Sequence, residues 1–192
     1  MRVLQWSRTD QVLLEGLLWA LPGAALLQVG VQLVQAVRGN ALSSQGHVPD
    51  ALVRVSEPVV GPLSGTVVVA DPTAAQYAWS LVPSVVLLVL ALVVTRLLLG
   101  VVRGLRDGDP FTRANARRLR VLAVVVVVSG VLVPIVRTMA HDVVLDPLLP
   151  DGPRTATLQL DLWPALGGIL VGFLAEVFGR GARLREDVEG LV

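Results

Sequence analysis

Four long apolar runs decide what this chain can fold into. A hydrocarbon core about 30 Å thick is crossed by about 20 helical residues rising 1.5 Å each. The runs fall at residues 11–37, 79–102, 121–140 and 162–180. They are continuous, without the one-sided periodicity of a helix packed on a water-excluded core. Only 16% of the residues are charged, against about 25% in soluble domains, so composition points the same way. The reading is an all-α membrane protein, a four-transmembrane-helix bundle forming one integral domain over residues 1–192. Spans two and three are rich in Val, including Val124 to Val128, and such runs are poor helix formers in water. In lipid an unpaired backbone costs more, and helix wins. Pro22-Gly23 is expected to kink the first span. Residues 1–10 do not read as a cleavable signal, since no small-residue cleavage site follows a short apolar core.

Arginine placement orients the spans. The chain has sixteen basic residues, all of them Arg. Arg2, Arg8, Arg103, Arg106, Arg113, Arg117, Arg118, Arg120, Arg180, Arg183 and Arg185 lie on one side. Arg38, Arg54, Arg137 and Arg154 lie on the other, and Arg96 falls inside span two. The richer side marks the cytoplasm. Both termini are then cytoplasmic, in an inner (cytoplasmic) membrane, and Trp79 and Trp163 anchor the outer boundary. Exclusive use of Arg with abundant Ala, Val, Gly and Leu fits a coding genome rich in G and C, as in many bacteria. The absence of Cys excludes disulfides and thiolate metal sites.

Two loops face outward, residues 38–78 and 141–161. The first holds strand-like pieces at 51–55 and 66–70 between turn signals such as Gly61-Pro62 and Asp71-Pro72. The second alternates polar and apolar residues from Thr155 to Leu162, the period of a half-buried strand. The expectation is a small extracellular β-sheet formed by the two outer loops, with Ala156, Leu158 and Leu160 facing inward.

Polar groups inside the spans are the first candidates for chemistry. Glu15 in span one and Arg96 in span two sit at matching depths from the inner side, so a pair between them is geometrically allowed. Glu176 lies nearer the inner surface and can meet Arg180 one turn later. Such groups can line an ion path, but structural pairing or snorkelling is the commoner use. Gln28, Gln32 and Gln35 share a helical face and are read as hydrogen-bonding another helix. His47 and His141, with Asp142 and Asp146 nearby, are read as exposed loop residues, because nothing brings them together as a metal site. No HExxH, GxSxG or P-loop pattern occurs, no cofactor is implied, and the chain reads as non-enzymatic.

The inner loop, residues 103–120, is the most informative stretch. Gly108 can end span two, Asp109 can cap a new helix and Pro110 can open it. That helix would bring Phe111, Asn115 and Arg118 close together before entering span three. Arg113, Arg117, Arg118 and Arg120 either fix topology against anionic lipid or, with the tail residues 181–192, form a docking surface. Direct nucleic-acid binding is disfavoured by a short patch pressed against the membrane.

Asp109-Pro110-Phe111, Asn115 and Arg118-Leu119-Arg120 before an apolar span resemble the Gly-x-Pro-Phe…Asn…Leu-Arg signature of the DUF2975 family of bacterial membrane proteins. Phe178, Gly181, Leu184 and Glu186-Asp187 resemble the family's closing segment. The resemblance covers the second half of the chain. It implies no catalytic residues, and it implies a small helix-turn-helix regulator of the Cro/cI type as a cytoplasmic partner.

Together these features read as a sensor or regulatory partner in the lipid bilayer, binding a cytoplasmic protein through Asp109, Pro110, Phe111, Asn115, Arg117, Arg118, Glu186 and Asp187. Homo-oligomerisation is compatible with this. The alternatives are a small transporter or accessory transport subunit with Glu15 and Arg96 near its path, and a structural or envelope-stress protein.

Overall fold

The computed structural model describes residues 8–39, 41–47, 64–106, 111–148 and 161–189. Its elements run α1 (Arg8–Val37), β1 (Leu42–His47), β2 (Ser64–Val69), α2 (Ala74–Arg106), α3 (Arg113–Leu145), a 3-10 turn (Asp146–Leu148) and α4 (Trp163–Glu189). All four helices are long and apolar enough to cross a membrane. Three contain an expected span whole and α4 all but its first residue, Leu162, and each extends past at least one end of its span, because helix continues where the chain leaves lipid. The chain divides into two compact units, Met1–Leu26 with Leu88–Gly130 and Leu162–Val192, and Leu27–Leu87 with Val131–Asp161.

The first unit is a four-helix bundle built on small residues. Gly168, Gly172, Ala175, Gly179 and Ala182 recur at alternating steps of four and three along α4, a 3.5-residue period that keeps one seam on a neighbour. A Cβ on Gly168 would stand 2.4 Å from Val127 Cγ2 and 2.9 Å from the Ala123 carbonyl oxygen. Cβ atoms on Gly172 and Gly179 would meet the methyls of Ala123 and Ala116 at 3.9 Å. Without apolar collapse to drive association in lipid, close backbone approach and dispersion hold α3 to α4. Val101, Leu119, Leu122 and Ala175 form the buried centre, with Leu97, Val126, Val171 and Phe178 packed round it.

Between α1 and α2 the tie is polar. Pro22 lies inside α1 and has no N–H, so the carbonyl four residues back, that of Leu18, loses its helical donor. The buried Thr95 hydroxyl donates to that oxygen at 3.1 Å. A side-chain hydroxyl thus satisfies a backbone group that lipid cannot, and α1 runs on through the proline as one helix.

In the second unit, Gly39 adopts φ +65° beyond the end of α1 and its N–H donates to the Ala36 carbonyl, a left-handed helix stop. The chain then forms an antiparallel hairpin in the register Leu42↔Val69 to His47↔Ser64. This corrects the expected sheet: β2 matches the piece at 66–70, but its partner is 42–47, within the same loop. The pieces at 51–55 and 155–160 lie outside the described residues.

The start of α2 is fixed by a reciprocal cap. The Gln76 N–H donates to Thr73 Oγ1 (3.3 Å), and the Thr73 N–H donates back to Gln76 Oε1 (2.8 Å). The Gln76 amide nitrogen also donates to the Val144 carbonyl at 2.8 Å, one of the orphan acceptors in the last turn of α3. The helix therefore starts at Ala74, five residues before the expected span.

Candidate functional site

The signature residues converge at the start of α3, within the first unit. Thr112 caps the helix, its hydroxyl accepting the Asn115 N–H at 3.1 Å and its carbonyl accepting the Ala116 N–H at 3.1 Å. This corrects the expected start: the helix opens at Arg113, and Thr112 supplies the cap assigned to Asp109. Asp109, Pro110 and Gly108 lie outside the described residues.

The cap sets three side chains in different directions. Phe111, just before it, packs on Phe178 of α4 with ring centroids 5.2 Å apart and planes at 46°, a tilted arrangement that avoids the face-to-face sandwich the ring quadrupoles disfavour. Gly181 makes room for that ring, since a Cβ there would fall 2.6 Å from Phe111 Cδ1. Arg113 forms an exposed ion pair with Glu186.

Asn115 turns inward and is fully buried. Its Oδ1 accepts from Arg118 Nη1 at 3.0 Å, and the same nitrogen donates to the Gly100 carbonyl of α2 at 2.7 Å. Both contacts require glycine opposite. A Cβ on Gly104 would lie 2.3 Å from Asn115 Nδ2, and one on Gly100 would lie 2.7 Å from Arg118 Nε. Gly100-x-x-x-Gly104 is a small-x-x-x-small step of the kind membrane helices use for close approach. It was legible in the sequence as a pattern, but the pattern does not say that polar side chains fill it.

The residues expected to bind a partner therefore divide. Asn115 and Arg118 are engaged inside the bundle and Phe111 is half committed to α4, whereas Arg117 and Asp187 are exposed. Glu186 holds Arg113 while remaining partly exposed. Beneath them Arg180 Nε donates to Glu176 Oε1 at 3.0 Å, one helical turn apart on α4. The arrangement clasps the first turn of α3 to α2 and α4 and presents charge on top of a fixed base.

The other candidates are not brought together. Glu15 is half-buried and Arg96 exposed, and among the described residues no ion pair joins them. Thr95, next to Arg96, turns towards α1 and meets the Leu18 carbonyl, whereas Arg96 sits 100° further round α2. Gln28 and Gln35 are exposed, while Gln32 buries its Oε1 without a hydrogen-bond partner.

The histidines need correction. His141 is not an exposed loop residue: it lies buried in α3, within the second unit, with Ser44 Oγ of β1 2.7 Å from its Nδ1. His47 belongs to β1. The contact with Ser44, 97 residues earlier in the chain, goes with its burial, and nothing in the local sequence around His141 signals so distant a partner. Among the described residues no group of His, Asp and Glu could hold a metal ion.

Residues 63–192 match the model of the family described as Protein of unknown function (DUF2975), and the chain belongs to that family. The matched segment contains the whole clasp, including Gly100, Gly104, Asn115, Arg118, Phe111, Phe178 and Glu186. No curated protein and no solved structure matches the chain.

Proposed function

We propose that this is a non-enzymatic regulatory protein of the cytoplasmic membrane whose arginine-rich helix ends face the cytoplasm and receive a soluble protein there. The observation that carries the reading is the contrast within the clasp. Asn115 and Arg118 are locked beneath, while Arg117, Arg183 and Asp187 stand exposed on the adjoining turns of α3 and α4. Exposed charge of both signs, carried on helix turns that the clasp already holds, favours one register of approach. The hairpin, on this reading, lies outside and gives the protein its sensing surface. A small helix-turn-helix regulator is the partner the family resemblance implies.

Orientation rests on the excess of Arg on one side, eleven against four with Arg96 inside a span, which sum to the sixteen in the chain. Co-purification of the membrane protein with the candidate regulator tests the docking. Arg117→Ala and Asp187→Ala, at exposed positions, should each reduce recovery of the regulator without altering the melting temperature in detergent. Undiminished recovery with the double variant would reject the surface. Transport along Glu15 and Arg96 gains no support from their placement, and unchanged ion flux in liposomes bearing Glu15→Gln would dismiss it.

A further inference from the structure

A second cluster of charge lies on the α2 side of the bundle, and among the described residues no carboxylate is in ion-pair contact with it. Arg118 lies across Gly100 and gives Nη1 to two neutral oxygens, those of Gly100 and Asn115. Arg96 and Arg103 are seven residues apart on α2, so they return to within about 20° of one face with about 10.5 Å of rise between them. Gly100 lies between them, about 40° to one side. Both arginines are exposed. Arg113 pairs with Glu186 and Arg180 with Glu176, and neither pair involves Arg96, Arg103 or Arg118.

The same face of α2 continues as bare hydrocarbon. Val89, Leu92 and Val93 are all exposed and lie within about 60° of Arg96 on the helical wheel. Arg96 stands about 9 Å, at 1.5 Å per residue, from the end of the apolar run at Val102. An uncompensated guanidinium at that depth is costly unless it meets an anion or water. A free phosphate would satisfy the arginines but would bring nothing to lie along the apolar strip beside them. An anionic phospholipid satisfies both, with acyl chain along Val89 and Leu92 and headgroup phosphate at the arginines.

We infer that Arg96, Arg103 and Arg118 form a binding site for the phosphate of an anionic phospholipid. Arg96 and Arg103 would hold it from two levels of α2, and Arg118 would present from α3 the N–H groups left over from its two internal bonds. Guanidinium suits the role because its fork of donors matches phosphate oxygens.

Native mass spectrometry of the full chain in detergent, titrated with phosphatidylglycerol or phosphatidylcholine, tests the site. Phosphatidylglycerol should be retained preferentially. Arg96→Gln with Arg103→Gln should weaken its retention about thirtyfold, the equivalent of two arginine–headgroup contacts. Arg38→Gln with Arg137→Gln, an equal change of charge at exposed positions outside the cluster, should leave retention near wild type. Equal retention of the two lipids, or equal loss in both double variants, would overturn the proposal. So would displacement of the lipid by millimolar inorganic phosphate, which would assign the cluster to a soluble anion. A melting temperature within the wild-type range in zwitterionic detergent separates loss of the site from loss of the fold.

Discussion

The hydroxyl of Thr95 on α2 occupies the place of a missing backbone donor on α1, giving the Leu18 carbonyl the hydrogen bond that Pro22 cannot supply. Two irregularities, a proline in a span and a buried threonine, are thus one structural unit. Thr95→Val keeps the shape and removes the donor, leaving a backbone acceptor unsatisfied at a cost of about 1–3 kcal/mol. Thr95→Ser should recover most of that. In the background of Pro22→Ala, where the helix regains its own N–H, the cost of Thr95→Val should fall by more than half. Unfolding in mixed micelles measures all four corners of the cycle, and equal costs in both backgrounds would separate the threonine from the proline.

A second prediction concerns the floor of the clasp. Gly104→Ala drives a methyl to 2.3 Å from Asn115 Nδ2, and Asn115 is fully buried, so the bundle must shift. Overpacking of this kind costs about 1–3 kcal/mol. Gly16→Ala is the counterpart, because nothing lies within 4 Å of a Cβ there. Helix propensity then acts alone, with a gain of up to about 1 kcal/mol. Opposite signs in the two melting temperatures are expected, and two losses of equal size would contradict the packing at Gly104.

These glycines show where the sequence was readable. The four spans were legible because lipid imposes one strong requirement, continuous apolar helix. Their ends were less so: Thr73 to Gln76 and Thr112 to Asn115 carry short-range capping chemistry that hydropathy does not weigh. Strand β1, Leu-Ser-Ser-Gln-Gly-His, has no strand-like composition. Pairing with the valines of β2 recruits it, since strand preference depends on the neighbour. At the site, the motif residues were found as a set, but not their division into buried Asn115 and exposed Arg117. That division depends on helix rotation about the axis, and spacing along one chain does not determine which direction a neighbour occupies.

Gln76 serves two helices, and its two roles can be separated. Gln76→Glu keeps an oxygen for the Thr73 N–H but removes the donor to the Val144 carbonyl. Gln76→Ala removes both. Amide hydrogen exchange should accelerate in the first turn of α2 only for the alanine variant, by about fivefold for about 1 kcal/mol of lost cap. Exchange in the last turn of α3 should accelerate in both. If the glutamate variant leaves α3 unchanged, the contact to Val144 contributes nothing to that helix end.

The hairpin is fastened to α3 through Ser44 and His141. Ser44→Ala removes one hydrogen bond, worth about 1 kcal/mol, from a two-stranded unit that is marginal by itself. Local opening, rather than global unfolding, should respond. Limited proteolysis is expected to cut between β1 and β2 several times faster, with the melting temperature nearly unchanged, and an unaltered cleavage rate would show that apolar packing alone seats the hairpin.

Which side of the membrane receives the clasp follows from a chain that supplies its own blank background, since it contains no cysteine. Single cysteines at Ser43 in β1 and at Arg117 in α3 are both exposed. A membrane-impermeant maleimide applied to intact cells should label the first and reach the second only after permeabilisation. Moving a guanidinium across hydrocarbon is unfavourable, and the arginines nearest the spans gather on the clasp side, so the two labels should never exchange. Labelling of Arg117→Cys in intact cells would put the clasp outside, where no cytoplasmic protein could meet it. The proposed docking would then fail, whereas the anionic-lipid site, which needs only headgroups beside Arg96 and Arg103, would stand in either orientation.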